Sequence, residues 1–574
     1  MTKVFNAAAS ANGLTVKAYA GDRCAMLAFN LDDHLTAHLA GFAIRRRMAP
    51  GGDWRWLGNR IAFASQYGTL GSNKFYPSNV APFQKFWWLD FPADGAWGTY
   101  EYEISAMRFT QAGGSVLKAD QTVTLRIDVG PFVEDKLTIA FTRGYLSSQA
   151  YADRFHNSAY QPSGNGEWNF DSAPYQTQWQ WLGGHARQTL IDFFVECRDD
   201  PDASIDALVY DFNEPDIVNA LASFKGRLRM LADNSKTHAD DTTHGQACAY
   251  VAQQVGEDNV KRGHFSRYQH NKVLIKKVKG KAVKVLTGST NFSVTGIYVN
   301  ANHVLVFDDP AVAQAYEDAF DVMFEDGAKS ADFEKHPAVQ GERLIQSPGL
   351  PKLKISYAPH KKPTASLDTL LTEIKAADSS VIFAVMDLTG GGDVLKTLSE
   401  LHADKKVFSY GITDKVDPED NTYENTQYFD PTRKSGEVVY SKENPEKFPP
   451  PFSQEKMVAG IGHIVHHKFV VVDFNDTEPV VFCGSSNLAE GGEEANGDNL
   501  IAIYDRAVAT AFAIEGIRLV DHYAFAAALK NHQDSGDSGP LALQADQPGN
   551  KPQWWARYYV DGSIKQKERL LFSR

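Results

Sequence analysis

Cysteine is scarce in this sequence and follows no pattern. The four cysteines, Cys24, Cys197, Cys248 and Cys483, are scattered over 574 residues, without a CxxC pair or the spacing of zinc ligands. This excludes a disulfide-rich scaffold and a cysteine-based zinc site. We expect buried, reduced thiols of the kind found in cytosolic proteins.

Long apolar runs and an excess of positive charge are also lacking. No run approaches the roughly 20 apolar residues that a membrane-spanning helix needs, and the N-terminal segment lacks the continuous apolar core of a secretory signal. We therefore expect a cytoplasmic protein, with export by another route left open. The net charge of −13 argues against a surface built throughout to grip nucleic acid, because such surfaces are basic.

Short alternating runs of β-branched and aromatic residues fill residues 1–132. Examples are LTVKAYA, QKFWWLDFP, TYEYEISAMRF and TVTLRIDV, which are separated by clusters of glycine, proline and aspartate. The pattern predicts an antiparallel β-sandwich domain. TYEYEISAMRF resembles a late strand of a fibronectin type III or immunoglobulin-like module.

Beyond this region, strands alternate with helices, and one order of elements occurs twice. QTLIDFFVECRDDPDASIDALVYDF (188–212) and ASLDTLLTEIKAADSSVIFAVMDL (365–388) both predict a helix, a turn and a buried strand. Each copy continues with a second helix and strand, a His-x-Lys segment, a hairpin and a final helix. We predict an α/β fold of two tandem halves, residues 133–345 and 346–574, which follow the all-β sandwich domain.

Two segments of the second half have no counterpart in the first. A long polar, proline-rich insertion covers residues 415–460, and a loop of that length is more often functional or mobile than inert. A surface insertion and a substrate lid are equally compatible with its composition. The tail NKPQWWARYYVDG (550–562) is aromatic, and we expect it to pack on the body of the protein.

The two halves repeat one set of polar side chains. YQHNKVLIKK (268–277) and VHHKFVVVD (465–473) each predict a strand with histidine and lysine one residue apart, so that both side chains share a face. GSTN and GSSN follow after a hairpin, and their glycine permits a close backbone approach. The set comprises His270, Lys272, Ser289 and Asn291 in the first half and His466, Lys468, Ser485 and Asn487 in the second.

Brought together, these side chains would form a nearly symmetric pocket that suits a phosphodiester. One imidazole can attack phosphorus while the second gives a proton to the departing alkoxide. Lysines and asparagines can hold the non-bridging oxygens as negative charge redistributes. Because cationic side chains then take the role that a metal ion often plays, we expect neither a metal nor another cofactor.

HHKFVVVD (466–473) followed by GSSN matches the HxKxxxxD…GSxN signature, and the chain resembles the phospholipase D superfamily on these residues. The duplicated layout resembles the single-chain members, over roughly residues 135–525. The resemblance implies that the two halves form one active site. It also implies a ping-pong phosphodiesterase whose covalent phosphohistidine intermediate is resolved by water or an alcohol.

The two halves match the signature unequally. Asp473 stands at the motif aspartate of the second half, whereas Lys277 occupies that position in the first. The first half is therefore the less certain one, although it keeps its histidine, lysine, serine and asparagine.

A second difference concerns the residue that orients each histidine. Members of the family tend to carry a carboxylate eleven residues beyond the GSxN asparagine, and this position is Asp498 in the second half and Asn302 in the first. We expect Asp498 to serve His466 and Asn302 to serve His270. Which histidine is the nucleophile stays open at this point.

Residues beside the motifs carry weaker signals. FTRGYLSSQAYADRF (141–155) resembles the loop that borders the pocket in bacterial relatives. Arg143 and Tyr145 would contact substrate there or pack locally. His463 and His467 flank the second motif, and we expect structural roles for both.

The leading functional hypothesis is a phospholipase D-type phosphodiesterase that acts on phospholipids or related phosphodiesters. The alternatives are a nuclease of the same superfamily and a catalytically weak protein that binds phosphate or lipid. We expect a monomer, and nucleic acid is the less expected partner. A transient membrane contact is left open. The lysine-rich segment KKVKGKAVKVL (276–286) predicts a solvated hairpin tip more readily than a surface for anionic lipid or nucleic acid.

Overall fold

The computed structural model describes most of the chain. The described ranges are 3–67, 75–93, 95–111, 116–144, 148–163, 167–360, 364–386, 392–415, 425–429, 437–440, 465–534, 541–547 and 551–574. Most of the predicted insertion at 415–460 therefore lies outside the described residues, as do Tyr145 and His463.

The N-terminal region is all-β, as its alternating pattern predicts. Its strands are β1 (Asn6–Ala11), β2 (Leu14–Ala20), β3 (Ala25–Leu31), β4 (Leu39–Met48), β5 (Arg55–Trp56), β6 (Gly58–Asn59), β7 (Ala62–Phe63), β8 (Tyr76–Pro77), β9 (Trp87–Asp90), β10 (Gly98–Phe109) and β11 (Leu117–Val129). Two antiparallel sheets have the orders β1-β2-β3-β9 and β11-β10-β4-β5. Kinship with fibronectin type III or immunoglobulin-like modules stays a prediction.

The next part of the chain alternates strands and helices. Its elements are β12 (Phe132–Glu134), β13 (Leu137–Phe141), α1 (Gln149–Phe155), α2 (Gln176–Asp199), β14 (Ala203–Val209), α3 (Pro215–Ala222), β15 (Leu228–Ala232), α4 (Thr243–Val255), β16 (Val260–Arg262), β17 (Tyr268–Gln269), β18 (Val273–Val278), β19 (Lys281–Gly288), α5 (Val294–Tyr298), β20 (His303–Phe307), α6 (Pro310–Asp326) and α7 (Ser330–Phe333). They build a mixed sheet in the order β12-β13-β20-β19-β18-β14-β15-β16.

The last part repeats this plan. Its elements are β21 (Arg343–Ile345), β22 (Lys352–Ala358), α8 (Thr364–Ala376), β23 (Ser380–Val385), α9 (Gly392–Asp404), β24 (Phe408–Lys415), β25 (Asn425–Phe429), β26 (Glu437–Tyr440), β27 (Lys468–Val472), β28 (Val480–Gly484), α10 (Glu490–Ala495), β29 (Asn496–Tyr504), α11 (Arg506–Asp534), β30 (Ala542–Leu543) and α12 (Ile564–Ser573). Its mixed sheet has the order β21-β22-β29-β28-β27-β23-β24-β25-β26.

The duplication predicted from the sequence is confirmed in strand order. The central run β13-β20-β19-β18-β14-β15 corresponds strand for strand to β22-β29-β28-β27-β23-β24. Parallel pairs lie at corresponding places in the two halves, β14 with β15 and β23 with β24, and the first half has a further one, β15 with β16. A helix connects each of these pairs, because parallel neighbours need a crossover connection. The sheets are therefore of the mixed α/β kind that we expected.

The aromatic tail packs on the N-terminal sheets, as predicted. Tyr558 is buried in the core of that region, and its ring centroid lies 4.8 Å from that of Phe86. The Trp554 indole N–H donates to the carbonyl of Leu39 at 2.9 Å, and the Tyr559 hydroxyl donates to the carbonyl of Leu31 at 2.6 Å. The C-terminal segment thus packs against the N-terminal region.

Two further predictions concern the cysteines and the presence of membrane-spanning helices. All four cysteines are buried free thiols, which confirms the prediction of structural burial. Among the helices that the structure describes, none combines the length and apolarity needed to cross a membrane.

Candidate active site

The two His-x-Lys segments lie at the entrance to a strand. His270–Lys272 forms the link between β17 and β18, and His466 precedes β27, which begins at Lys468. The prediction that the histidines sit on a strand is therefore wrong by a few residues. Both imidazoles and both ammonium groups are nevertheless buried.

The reason for this break is that each segment leaves its own sheet to bind the other half of the protein. The backbone N–H of His270 donates to the carbonyl of Gly497 at 2.9 Å, and that of His466 donates to the carbonyl of Ala301 at 3.0 Å. β17 also pairs in parallel with the start of β29. The two crossings are equivalent, so each half supports the histidine segment of the other.

The partners of the two imidazole rings are crossed in the same way. His270 Nδ1 lies 2.7 Å from Asp498 Oδ1, and His466 Nδ1 lies 2.8 Å from Asn302 Oδ1. The expectation that each histidine is served by its own half is therefore wrong. The carboxylate belongs to His270 and the amide to His466, because each partner residue lies next to the backbone that receives the opposite segment.

These contacts fix the tautomer of both rings. His466 Nδ1 is also 3.1 Å from the carbonyl oxygen of Ser289, so that it faces two acceptors and must carry the proton. The amide of Asn302 is oriented in turn, because its Nδ2 donates to the carbonyl of Gly296 at 2.8 Å. Nδ1 is thus engaged in each ring, which leaves Nε2 as the atom suited to chemistry.

Burial and clustered positive charge lower the pKa values in this site. Burial, with help from the Lys272 ammonium, lowers the pKa of His270 to about 4, although Asp498 acts in the opposite direction. Burial also lowers the pKa of Lys272 to about 7. The pKa of Lys468 falls well below its usual value because of burial and then the charge of Lys272. In the empty site the Lys272 ammonium therefore disfavours the charged form of Lys468, and a bound anion would favour it.

Both lysines fold back in the same manner. Lys272 Nζ donates to the carbonyl of His270, and Lys468 Nζ donates to the carbonyl of His466 at 2.7 Å. Lys272 Nζ also lies 4.6 Å from the centroid of the Tyr210 ring. This repeated geometry holds each ammonium against the backbone of its own histidine.

The glycines of GSTN and GSSN are required by close backbone contacts. Gly288 and Gly484 have φ values of +137° and +143°. A Cβ atom would lie 2.4 Å from the carbonyl oxygen of His303 at the first position and of Asn499 at the second. A larger residue would therefore push the loop away from the site.

The serines of these motifs brace the loop. Ser289 Oγ accepts the backbone N–H of His303 at 3.0 Å and donates to Asn302 Oδ1 at 2.8 Å. Ser485 Oγ accepts the backbone N–H of Asn499 at 3.0 Å. Ser289 therefore supports Asn302, which holds His466, and Ser485 supports the neighbour of Asp498.

The side-chain oxygens of the two motif asparagines are unpaired in the described structure. Within the described part of the chain, Asn291 Oδ1 and Asn487 Oδ1 are buried and lack a hydrogen-bond partner. Asp498 Oδ2 is in the same state. Buried polar atoms of this kind are costly unless something binds them, which is consistent with a polar ligand at this place.

Asp473, the aspartate of the motif, does not contact the site. Its carboxylate accepts backbone N–H groups of Asp378 and Ser379 at 3.0 and 2.8 Å, and so caps the approach to β23. Its counterpart Lys277 instead forms ion pairs with Asp206, at 3.2 Å, and with Glu317. The residue that made the first half doubtful thus has a structural role in both halves.

Restoring aspartate at position 277 is expected to damage the fold. Lys277→Asp would place a carboxylate beside Asp206 and Glu317, which are both buried, at a cost of about 3–5 kcal/mol of unfolding free energy. Lys277→Met, which keeps the volume without adding negative charge, should cost less. Urea unfolding of the three proteins measures the order, and equal stability of Lys277→Asp and the parent chain would contradict it.

One symmetric pair near the site was missed. Asp233 Oδ2 accepts the backbone N–H of Gln269 at 2.7 Å, and Asp414 Oδ2 accepts that of Val465 at 3.2 Å. Each aspartate thus holds the residue before a catalytic candidate. The signal was present in the repeat, because Asp233 directly follows β15 in LADN and Asp414 lies at the end of the corresponding strand β24 in ITDK.

His467 is a structural residue, as expected. It is fully buried, its Nε2 lies 3.0 Å from Glu515 Oε1, and its Nδ1 lies 3.2 Å from His303 Nδ1. Arg143 donates to the carbonyl of Trp181 at 2.7 Å and lies over that indole ring. Its local packing is therefore described, whereas contact with a substrate stays a prediction.

The lysine-rich hairpin is largely neutralised by acidic neighbours. Lys276 and Lys284 both contact Glu196, at 3.0 and 2.7 Å. Lys279 at the turn has a side chain that is 75% exposed, and its nearest carboxylate is Asp202. The interpretation as a solvated tip fits this arrangement better than an anion-binding surface does.

Comparison with known proteins finds similarity to a family of PLD-like domains. The family described as "Cardiolipin synthase, PLD-like domain" matches residues 197–324 and 370–515. The mitochondrial cardiolipin hydrolase of Xenopus laevis is 29% identical over 127 residues, which are 21% of this chain and 55% of that protein. The chain therefore spans about half the length of this curated relative.

Solved structures with similarity include Nuc from Salmonella typhimurium, described as a phospholipase D family member. It is 26% identical, with a TM-score of 0.20, over 24% of this chain and 86% of that one. The phosphatidylserine synthase of Haemophilus influenzae Rd KW20 is 12% identical, with a TM-score of 0.36, over 67% of this chain and 93% of that one. The two segments that match the family model together comprise 274 of the 574 residues, with one segment in each half of the chain.

Proposed function

We propose that this protein is a phospholipase D-type phosphodiesterase that hydrolyses, or transphosphatidylates, phospholipids or related phosphodiesters through a phosphohistidine intermediate. The observation that carries the proposal is the crossed pair of buried histidines, each held at Nδ1 by the opposite half. Two lysines and two asparagines belong to the same motifs, and their N–H groups can donate to an anion. The inventory fits a diester anion held between two imidazoles.

We assign the roles of the two histidines from the difference between their ring partners. A nucleophilic imidazole must be neutral before attack, and burial keeps His270 in that form near neutral pH, since its pKa is about 4. Once phosphorus is bonded to Nε2 the ring becomes cationic, and the Asp498 carboxylate at Nδ1 stabilises that charge. His466, held by the neutral Asn302, is then the general acid.

The reaction proceeds in two displacements. Nε2 of His270 attacks phosphorus, the bond from phosphorus to the alcohol oxygen breaks, and His466 gives its proton to that oxygen. Water or a second alcohol then attacks phosphorus while His466 accepts its proton. The phosphorus–nitrogen bond breaks, and His270 returns to its neutral form.

The lysines supply charge to both displacements. A diester bound between Lys272 and Lys468 would relieve their mutual repulsion and restore both ammonium groups. These ammonium groups, together with the amides of Asn291 and Asn487, would hold the non-bridging oxygens. Binding energy is thereby concentrated on the phosphoryl group rather than on the alcohol.

Three substrates test the proposal and its alternatives. Cardiolipin, phosphatidylcholine and single-stranded DNA are assayed for release of a phosphomonoester product, and turnover of at least one of the phospholipids is expected. Turnover of DNA alone would instead favour a nuclease. Binding of all three without turnover would favour a phosphate-binding protein.

Trapping the intermediate tests the role assignment. Acid-labile label from a phosphorus-labelled diester is expected at His270 after rapid quenching and digestion. With a p-nitrophenyl diester, whose leaving group needs no proton from His466, His466→Gln should keep or increase this label, because water cannot be deprotonated for the second displacement. Label at His466 in the parent chain would reverse the assignment.

The lysines also predict a dependence on pH. Since Lys272 of the empty site has a pKa of about 7, kcat/KM should fall as the pH rises through that value and the ammonium loses its proton. A bound diester raises this pKa, so the fall in kcat should begin at a higher pH. Measurement of both profiles checks the prediction, and coincident alkaline limbs would contradict it.

A further inference from the structure

A second cavity lies between the N-terminal sheets, the first half and α11. Its volume is about 890 Å³, and its walls come from the loop before β3, the end of β13, α1, α2 and α11. None of the motif histidines, lysines or asparagines lines it. It is therefore separate from the site proposed for catalysis.

Positive charge is in excess on the walls of this cavity. Four carboxylates line it, against six arginines, which are Arg23, Arg46, Arg60, Arg143, Arg154 and Arg518. Each carboxylate already contacts one basic side chain, as Asp153 does with Arg60 at 2.8 Å. The lining as a whole therefore favours an anion.

Exposed aromatic side chains converge on the same cavity. Trp56, Phe75 and Phe91 are 37, 49 and 45% exposed, and they are the large aromatic residues that stand out as exposed among the described residues. All three line this cavity. Apolar surface that gathers around a cavity rather than scattering singly indicates a binding site.

The cavity continues into a more apolar one. A neighbouring space of about 570 Å³ shares Arg60, Phe75 and Phe91 with it and is further lined by Phe83, Trp87 and Leu543. The larger space is thus the richer in arginines. Aromatic and aliphatic side chains predominate in the smaller one, which is also lined by Arg60, Lys85, Arg518, Asp521 and His522. Such an order of surfaces matches a molecule with an anionic head and an apolar chain.

We propose that the two cavities together bind a phosphate-headed lipid at a second site. The phosphate lies among the arginines of the larger cavity, and the acyl chain enters the apolar cavity past Phe75 and Phe91. The proposal does not depend on the reaction assigned to the histidine pair. It predicts binding even in a chain that cannot turn over a substrate.

The test uses residues whose change leaves the catalytic candidates alone. Arg154 and Phe75 are exposed and line the larger cavity, whereas Glu515 and Arg518 are unsuitable because Glu515 contacts His467. The variants are Arg154→Gln and Phe75→Ala. Matched controls are Arg198→Gln, whose side chain is 61% exposed, and Leu344→Ala, which is 55% exposed, and both lie outside the two cavities.

Isothermal titration with dihexanoyl phosphatidic acid below its micelle concentration measures binding to the full chain. His270→Ala/His466→Ala serves as the background, so that catalysis does not consume or mask the ligand. Each cavity variant is expected to weaken binding about fivefold to tenfold, and the controls should leave it unchanged. Equal unfolding midpoints establish that the variants are folded.

Three comparison ligands test which chemical groups of the lipid the cavities recognise. Dihexanoyl phosphatidylcholine should bind at least tenfold more weakly, and inorganic phosphate should bind weakly because it lacks the chain. Equal affinity for both lipids, or phosphatidic acid binding that is insensitive to Arg154→Gln and Phe75→Ala, would overturn the proposal. Tighter binding of hexathymidylate that these variants weaken would overturn it in favour of a nucleotide site.

Discussion

Alanine at His270 or at His466 is expected to lower kcat for a phosphodiester by about 10³-fold or more. The two-histidine reaction needs both rings, because one forms the bond to phosphorus and the other moves the proton. Each ring occupies a place that no neighbouring group duplicates, since each is held at Nδ1 by a partner from the opposite half. The effect should appear in kcat and in kcat/KM alike.

The two variants should differ in the activity that remains. His466→Ala keeps the nucleophile, so a substrate with a good leaving group, such as a p-nitrophenyl diester, should recover part of the first displacement. His270→Ala should show no such recovery. His336→Ala, at an exposed position, is the matched control and should retain the activity of the parent chain. Full activity in either catalytic variant would rule out the mechanism.

Much of the fold follows from the sequence because the chain repeats itself. The order of helices and strands in 188–212 and 365–388 predicts two equivalent halves, and the two mixed sheets share their central strand order. Alternation between buried and exposed positions in β11 likewise marks the N-terminal region as antiparallel sheet. These are local patterns, which a single sequence contains in full.

The partner of each histidine ring could not be predicted from such local patterns. The spacing of eleven residues between Asn487 and Asp498 is a relation within one half, whereas the contact that Asp498 makes is with His270. That contact depends on how the two halves dock, and no periodicity in the sequence encodes it. The same holds for β17, which pairs with β29 across 228 residues of chain.

The motif aspartate shows that a place in a sequence signature does not by itself define the role of a residue. Its position in a signature suggested a share in the chemistry, but Asp473 caps backbone N–H groups at the start of β23. A cap can be replaced by another local solution, and Lys277 with its ion pairs is one. Departure from a motif therefore casts doubt on a site only when the residue contacts that site.

Asp498→Asn is expected to lower kcat by about 10²-fold to 10³-fold. The amide keeps an oxygen for His270 Nδ1 and nearly the same volume, so the ring should keep its orientation. It removes the negative charge that would stabilise the phosphorylated, cationic ring. The loss should therefore appear in formation of the phosphoenzyme, which rapid-quench measurements of the first turnover resolve.

The pH profile of Asp498→Asn gives the sign of the electrostatic effect. Asp498 raises the pKa of both His270 and Lys272, so removing its charge should lower both values. The alkaline limb of kcat/KM, which begins near the Lys272 pKa of about 7, should then move to lower pH. Asp473→Asn makes the same chemical change at a carboxylate whose partners among the described residues are backbone N–H groups and the Ser379 hydroxyl, and it should leave the limb in place. A limb that moves to higher pH in Asp498→Asn would show that its carboxylate does not set the charge of this site.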